Sequence, residues 1–362
     1  MMWSDTQAPL PPAQRPGADR PGPRINSQEL VIVSVQGQIA HPVAGAAPYR
    51  IGHDGVPRVL PGTGGIVLNR RIGDLCVGLA GDHIEPGVSL HNNSREIIGP
   101  RDGPNTALIT YACVGNVAEV LNGRCRGQRG LVTGKHGGVN HVMVDFPTPV
   151  LARLAIGDRI GIRSHGLGLR LLRHPRIEVM NCDPALLGRW GLLEQEGRLH
   201  VPVTHLVPAR LMGSGLGKNT AWRGDYDIQL ADRPSRERWK LTSLRFGDMV
   251  AIVGADVRRG PIYRESRVTI GVIVHGDSTV SGHGPGVTPL LTGPAACLRP
   301  LLRPDANLAE IFQVRRAQPA RPQPLLVERD ARRRSCRPVE TPGPRLAFDT
   351  DLAHADDVGH MA

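Results

Sequence analysis

Aromatic residues are scarce in this chain of 362 residues, where Phe, Tyr and Trp together make up 3% of the sequence. The hydrophobic core must therefore consist of Val, Leu, Ile and Ala. Grooves that bind single-stranded nucleic acid rely on stacked aromatic side chains, so this scarcity disfavours nucleic acid as a partner despite the net charge of +11. Much of the positive charge is also concentrated in one segment, because residues 315–345 contain nine arginines and only three acidic residues.

Long apolar runs and paired cysteines are absent as well. No stretch of roughly eighteen apolar residues is present that could span a membrane, and no secretory signal follows Met1. None of the six cysteines stands in a CxxC pair, which disfavours a cysteine-based metal site. We therefore expect a cytoplasmic protein with reduced thiols and no membrane contact.

Glycine and proline, in contrast, are abundant, with 44 and 32 residues. Their positions between many short apolar runs are typical of turn-rich β structure. We predict a mainly β fold with barrel- or sandwich-like subdomains and a few short helices. Residues 28–180 would form a β domain with glycine-rich loops, and residues 181–313 a second β-rich (α+β) part packed on the first. The Pro-rich residues 1–27 and the Arg/Pro-rich residues 314–362 are predicted to be disordered tails.

An apolar-Gly-Asp motif occurs three times, with its aspartates at Asp74, Asp158 and Asp248. Each copy precedes a short apolar segment, as expected of a tight turn that leads into a strand. We interpret these aspartates as turn residues and not as catalytic groups.

Few segments favour a helix. One helix is predicted to begin at Pro184, directly after the N-cap residue Asp183, and to continue to Gly197. Residues 106–121 are predicted instead to form a pair of strands.

The segment from Gly130 to Phe146 is the most distinctive part of the sequence. It holds one of only three lysines in the chain and places two histidines around a pair of glycines. The pattern predicts a strand, a tight basic loop and a second strand, in which the glycines let the backbone approach a ligand. Histidine is the commonest neutral metal ligand, although a basic hairpin without a ligand is the alternative. We assign Lys135 as catalytic, His136 and His141 as metal ligands, and Gly137, Gly138 and Asn140 as substrate-binding residues.

Two further glycine-rich loops, residues 81–87 and residues 275–286, also carry ionisable side chains. Such side chains between glycines suit metal binding or acid–base chemistry, whereas the alternative is a solvated turn. Adjacent residues at the end of a strand point apart, which disfavours a self-contained Ser-His-Asp triad in the second loop. We assign Asp82 and Asp277 as catalytic, His83, Glu85 and His275 as metal ligands, and His283 as substrate-binding.

Several long motifs resemble a known family. They are GLVTGKHGGVNHVMVDF, DHIEPGVS, HVPVTHLVPARLMGSGLG, DYDI and SGHGPGV. In this order they are similar to an uncharacterised bacterial and archaeal family known as domain of unknown function 4438. The resemblance covers roughly residues 29–313 and implies a mostly β protein, but it implies no reaction, cofactor or catalytic residue.

Together these features favour an enzyme that hydrolyses an amide- or ester-like bond of a small polar molecule with the help of a divalent metal ion. The alternative is a non-catalytic protein that binds a small ligand or assembles into a homo-oligomer, and we expect a homo-oligomer in either case. The enzymatic hypothesis requires the three glycine-rich loops to converge in one pocket.

Overall fold

The structure is a computed structural model that describes residues 22–44, 49–94, 103–214, 217–218 and 220–314. Residues 1–21 and 315–362, which we predicted to be disordered, lie outside this part. Residues 22–27 were predicted to belong to the N-terminal tail, but they contact the folded chain. Ile25 forms a β-bridge with Leu171, and the buried Asn26 donates a hydrogen bond to the carbonyl of Gly168 (3.1 Å).

Strands dominate the described part of the chain, which confirms the prediction of a mainly β fold with a few short helices. The strands are β1 Val33–Ile39, β2 Arg50–Ile51, β3 Pro57–Arg58, β4 Ile66–Val67, β5 Gly87–His91, β6 Val117–Val120, β7 Arg129–His136, β8 His141–Asp145, β9 Arg159–Ser164, β10 Glu178–Val179, β11 Leu193–Gln195, β12 Arg198–Val203, β13 His205–Pro208, β14 Tyr226–Asp227, β15 Met249–Asp256, β16 Ile262–Ile273, β17 Gly286–Pro294 and β18 Leu298–Leu302.

The α-helices in this part of the chain are short. They are α1 Pro104–Tyr111, α2 Thr148–Leu151, α3 Pro184–Arg189, α4 Arg233–Arg238 and α5 Leu308–Ile311, with 3-10 turns at Ser27–Glu29, Gly123–Cys125, Ala209–Leu211 and Leu241–Ser243. Within the described residues, no helix has both the length and the apolar character that a membrane span requires.

The first half of the described chain forms a closed six-stranded barrel. Its strands follow the order β1-β9-β6-β7-β8-β5, and β5 pairs back onto β1 through Gln38–His91 and Ile39–Leu90. Every neighbouring pair in this circle is antiparallel. Closure leaves the six strands without a free edge, so the barrel is a rigid support for the loops at its rim.

The hairpin of β7 and β8 divides its side chains between two cores. Val142, Val144 and Phe146 belong to the apolar cluster inside the barrel. Met143 points to the other side and joins a cluster that includes buried residues of the second sheet. This alternation is that of a β-strand, and it makes β8 a shared wall between the two halves of the molecule.

The second half contains a larger open sheet with the order β10-β17-β16-β15-β13, in which β14 also pairs with β17. A smaller sheet, β11-β12-β18, packs beside it, and its β12–β18 pair is parallel. Leu131 and Met143 of the barrel share a buried cluster with Ile270 and Leu290 of the larger sheet. The two halves are therefore joined by a continuous apolar core.

The barrel and the larger sheet approach most closely where β7 passes the end of β16. A Cβ added to Gly134 would lie 2.0 Å from Cγ1 of Val274, so only glycine permits this packing. Beside it, the hydroxyl of Thr288 accepts a hydrogen bond from the amide of Lys135 (3.1 Å) and donates one to its carbonyl (3.0 Å). We call this contact the β7 junction, and it fixes the end of β7 against Val274, which follows β16, and against the start of β17.

The three Gly-Asp motifs form the same turn, as the sequence predicted. The carboxylates of Asp74, Asp158 and Asp248 each accept a hydrogen bond from the backbone amide three positions earlier, at 2.8 to 2.9 Å. The glycine before each aspartate has a φ between 81° and 89°, a region that glycine enters without steric cost. The aspartates are therefore structural.

Two predictions of secondary structure were wrong. Residues 106–121 contain helix α1 and only one strand, since Pro104 starts the helix and its Leu108 is buried in the barrel core. The helix that begins at Pro184 ends at Arg189 and not at Gly197. Gly191 has a φ of 79°, and the chain then enters β11, so tertiary pairing overrides local helix propensity.

Two glycines have the same φ of 75° but different surroundings, so their replacement by alanine distinguishes the cost of backbone strain from the cost of steric crowding. A Cβ at Gly78 would meet nothing within 4 Å, whereas a Cβ at Gly87 would lie 2.4 Å from the carbonyl oxygen of Val144 in the barrel wall. We expect Gly78→Ala to reduce the free energy of unfolding by about 1–2 kcal/mol, the cost of a left-handed residue. Gly87→Ala should lose about 1–3 kcal/mol more through overpacking. Equal losses in urea unfolding would contradict this account of the barrel wall.

Candidate metal centre

The three glycine-rich loops converge at the β7 junction. The imidazole centroids of His83 and His136 are 5.8 Å apart, those of His83 and His275 are 5.0 Å apart, and those of His136 and His275 are 4.3 Å apart. All three histidines are buried. The structure thus brings together side chains that lie 53 to 192 positions apart in the sequence, as the enzymatic hypothesis required.

Each of these rings is held through its Nδ1 atom. His83 Nδ1 lies 2.9 Å from Asp82 Oδ1, His136 Nδ1 lies 2.6 Å from Glu85 Oε1, and His275 Nδ1 lies 3.0 Å from the carbonyl of the next residue. A carboxylate or carbonyl on one ring nitrogen fixes the tautomer and leaves the other nitrogen free for a metal ion. Asp82, predicted to be catalytic, and Glu85, predicted to be a ligand, therefore orient histidines.

Two aspartates that the sequence analysis did not assign complete the cluster. Asp225 and Asp227 lie two positions apart, so both carboxylates can share one face, while Tyr226 between them is buried in an apolar cluster. Asp225 Oδ2 is 2.7 Å from His275 Nε2, and Asp227 Oδ1 is 3.4 Å from the same atom. The DYDI motif contains both residues, and the alternation of its acidic residues was the signal that could have identified them.

One group of three possible ligands consists of His83, Asp227 and His283. Its atoms are separated by 3.1 Å (His83 Nε2 to His283 Nδ1), 3.4 Å (His83 Nε2 to Asp227 Oδ2) and 3.1 Å (His283 Nδ1 to Asp227 Oδ2). Ligands at about 2.1 Å from a tetrahedral zinc ion would be about 3.4 Å from each other. These three atoms therefore have the spacing of three corners of a tetrahedron, and His283, predicted to bind substrate, lies among the ligands.

A second group consists of His136, Asp225 and His275. One nitrogen or oxygen from each of these residues lies within 4.8 Å of the others, and all three residues are buried. The amide of Gly137, predicted to bind substrate, instead donates a hydrogen bond to Asp225 Oδ1 (2.7 Å). Gly138 remains beside the site, because a Cβ there would lie 3.7 Å from His136 Nε2.

The electrostatics of the cluster favour a bound cation. Burial opposes ionisation of Asp227, but His275, His283 and His83 hold the pKa of its carboxyl well below the usual range. Burial likewise opposes protonation of His275, yet Asp225 and Asp227 raise the pKa of its imidazole well above the usual value. A proton on His275 thus offsets part of the buried negative charge where no metal ion is bound, and a metal ion would displace it.

The backbone at His83 is held in an uncommon conformation. Its φ is 55°, in the left-handed region that residues other than glycine rarely adopt. The amide of His83 donates to the carbonyl of Asp277 (3.1 Å), and the side chain is held by Asp82. Strained residues of this kind cluster at functional sites, so the conformation of His83 is further support for a site here.

Two of the predicted metal ligands lie in neither group. The buried Glu85 carboxylate contacts both His136 and His141, and it also accepts hydrogen bonds from Ser89 Oγ and the amide of Gly64. Although burial opposes ionisation, the hydrogen bonds of His136 and His141 keep the pKa of Glu85 well below its usual range. These hydrogen bonds use the lone pairs of the Glu85 carboxylate. Glu85 therefore fixes the ring of His136, and His141 helps to hold the Glu85 carboxylate in place.

Lys135, predicted to be catalytic, is engaged by three acceptors of the protein. Its buried Nζ donates to the carbonyl of Thr110 (3.1 Å), Oδ1 of Asn181 (2.8 Å) and the carbonyl of Trp222 (2.7 Å). An ammonium group has three N–H bonds, so none is left for a substrate. Lys135 instead holds the segment that leads to Asp225.

The remaining predicted residues also have structural contacts. Asp277 accepts a hydrogen bond from the amide of Ser278 (2.8 Å) and lies in neither group. Asn140 has a φ of 60° in the turn of the β7–β8 hairpin, and its carbonyl accepts a hydrogen bond from Asn105 (3.2 Å). Neither geometry indicates the catalytic or substrate-binding role that we predicted.

An open cleft adjoins the cluster on the side of Asp82. Val43, Tyr49, Arg50 and Val280 contribute to its walls together with Asp82. Arg50 is half-exposed and forms an ion pair with Asp82 (2.6 Å). Burial opposes ionisation of Asp82, but hydrogen bonds from His83 and Ser278 lower the pKa of its carboxyl to about 2. The ionised carboxylate of Asp82 therefore contacts both the cleft and the histidine cluster.

Comparisons with known proteins identify relatives but no reaction. The model for the N-terminal part of a domain of unknown function, DUF4438, matches residues 49–188, and the model for its C-terminal part matches residues 189–312. The crystal structure of TM1086 is 42% identical in sequence with a TM-score of 0.74, and the match covers 81% of this chain and 99% of that chain. No curated protein matches the chain.

The structural role of Lys135 predicts a loss of stability on its replacement. Lys135→Met would remove the donor from the buried Asn181 and from the partly buried carbonyls of Thr110 and Trp222, so we expect the free energy of unfolding to fall by about 1–3 kcal/mol. Lys240→Met removes the same charge from an exposed position and should change stability by no more than about 0.5 kcal/mol. Urea unfolding measures both variants. An unchanged stability of Lys135→Met would restore the catalytic interpretation.

Proposed function

This chain belongs to the DUF4438 family, and from the geometry of its site we propose that it is a metal-dependent hydrolase. The substrate would be a small polar molecule with an amide- or ester-like bond. The observation that carries the proposal is the group of His83, Asp227 and His283, whose ligand atoms have tetrahedral spacing. Three protein ligands and one open position are typical of catalytic metal sites, whereas structural sites are closed by four.

The nitrogen and oxygen ligand atoms of this group restrict which metal ions it can bind. Imidazole nitrogen and carboxylate oxygen suit Zn²⁺, Mn²⁺, Fe²⁺ or Co²⁺, while sites for Ca²⁺ and Mg²⁺ consist of oxygen atoms. The side chain of His283 is 37% exposed, whereas that of His83 is 9% exposed. This difference indicates that the open position of the group faces the His283 side, where a substrate can enter.

The ion would supply a water of lowered pKa and would polarise the carbonyl of the scissile bond. The chain itself supplies the orientation of the ligands. Asp82 holds the ring of His83, and Glu85 holds the ring of His136. A ring fixed by a carboxylate is also a stronger ligand, and loss of such a partner commonly reduces metal affinity or activity by about 10–100-fold.

The cleft beside Asp82 supports the expectation of a polar substrate. Arg50 and Arg58 both contribute to its lining, and each already contacts a carboxylate, Asp82 and Asp54 respectively. A substrate with a negative charge would interact favourably with either guanidinium. We therefore propose that the cleft holds the part of the substrate that is not cleaved.

The expected cytoplasmic location and homo-oligomeric state remain part of this proposal. Cell fractionation and size-exclusion chromatography with light scattering test them independently of any reaction. A second candidate function, a non-catalytic binding or assembly protein, predicts that site variants alter only the size of the oligomer.

Removal of one ligand of the His83-Asp227-His283 group should weaken metal binding in that group and reduce hydrolysis. We expect His283→Ala to lower metal-dependent hydrolysis by at least about 100-fold, because the ion loses one of three ligands. His200→Ala replaces a partly exposed histidine of β12 that lies in neither group, and it should retain full activity. The measurement is the hydrolysis of a panel of small amides and esters after reconstitution with Zn²⁺, Mn²⁺ or Co²⁺.

The controls for this experiment are the chelated protein and the unfolding temperature of each variant. If the purified protein contains no metal, and chelation changes neither its stability nor its behaviour in the assay, the metal-dependent proposal fails. Hydrolysis that survives in His283→Ala would also contradict it.

A further inference from the structure

We propose that the centre holds two divalent ions and that the carboxylate of Asp227 bridges them. This inference rests on the proposed metal site and extends it from one ion to two. The two groups of ligands, His83-Asp227-His283 and His136-Asp225-His275, share no residue, yet they lie side by side.

The position of Asp227 carries the inference. Its Oδ2 atom faces the first group, at 3.4 Å from His83 Nε2 and 3.1 Å from His283 Nδ1. Its Oδ1 atom faces the second group, at 3.4 Å from His275 Nε2. A carboxylate whose two oxygens face two separate sets of ligands is placed to bind one ion with each oxygen.

The spacing of the rings agrees with this arrangement. The ring of His275 in the second group lies beside the first group, with its centroid 4.3 Å from that of His136 and 5.0 Å from that of His83. Ions in two-metal hydrolytic sites are about 3.5–4 Å apart. Two groups in such close contact are compatible with that separation.

The balance of charge also favours a second ion. Four buried carboxylates surround the histidines: Asp82, Glu85, Asp225 and Asp227. Buried charges in proteins are paired or bind metal ions. Arg50 offsets one of these charges through its ion pair with Asp82, and the remaining three negative charges exceed the two positive charges of a single divalent ion.

The absence of a side chain at Gly286 leaves room for the ligand atoms of the second group. A Cβ at this position would lie 2.2 Å from His275 Nε2 and 2.3 Å from Asp225 Oδ2. Any side chain would therefore occupy the region where these two ligand atoms meet. In hydrolysis, one ion would activate water and the other would polarise the carbonyl of the substrate.

The test is the number of ions that the full-length chain binds. We expect about two Mn²⁺ per chain by elemental analysis after dialysis, and an electron paramagnetic resonance spectrum of coupled ions, as in other two-metal sites. Asp225→Asn and Gly286→Ala should each retain about one Mn²⁺, with the spectrum of an isolated ion, because both change only the second group. Gly188→Ala in α3, whose added Cβ would meet nothing within 4 Å, should retain both ions.

One ion per wild-type chain, or two ions in the wild type that are unaffected by both Asp225→Asn and Gly286→Ala, would overturn the inference. Circular dichroism identifies a variant that fails to fold. In that case the number of Mn²⁺ ions bound per wild-type chain decides between one ion and two. The outcome is separable from that of the hydrolase proposal. Two coupled ions without hydrolysis support this centre and refute the reaction, whereas hydrolysis with a single ion does the reverse.

Discussion

The candidate centre depends on the close packing of β7 against the end of β16 and the start of β17. Gly134 permits this approach, and the Thr288 hydroxyl fixes it through both the amide and the carbonyl of Lys135. His136 belongs to the barrel and His275 to the loop that follows β16 of the larger sheet, so neither half contains the cluster by itself. The site is a product of the contact between them, as is common for ligand sites in proteins.

Much of the fold follows from local patterns that a sequence displays. Short apolar runs between Gly and Pro predicted the β class, and the three Gly-Asp turns were correct because their hydrogen bonds join residues three positions apart. The three histidine-bearing loops were also identified, since glycines around ionisable residues are visible in the sequence. Helix α1 was missed although Pro104 marks its start, because the packing of Leu108 in the barrel core, which favours the helix over a pair of strands, is not visible in the sequence.

The detailed roles depend on contacts that the sequence does not display. Lys135 and His136 are neighbours and were assigned to one site, but adjacent residues of a strand point to opposite faces. His136 therefore meets Glu85, while Lys135 meets Asn181 and Trp222. Asp225 and Asp227 went unassigned because their histidine partners lie 50 or more positions away, and Glu85 was taken for a ligand because nothing in its own loop indicates the two histidines that bind it.

The most direct test of the account is a crystal structure of the protein after a soak in Mn²⁺ or Zn²⁺, with anomalous diffraction recorded at the metal edge. The account predicts anomalous density between His83, Asp227 and His283, and a second peak between His136, Asp225 and His275. The absence of anomalous density at these histidines at saturating metal, with their rings placed as described here, would contradict the central claim that this cluster binds metal.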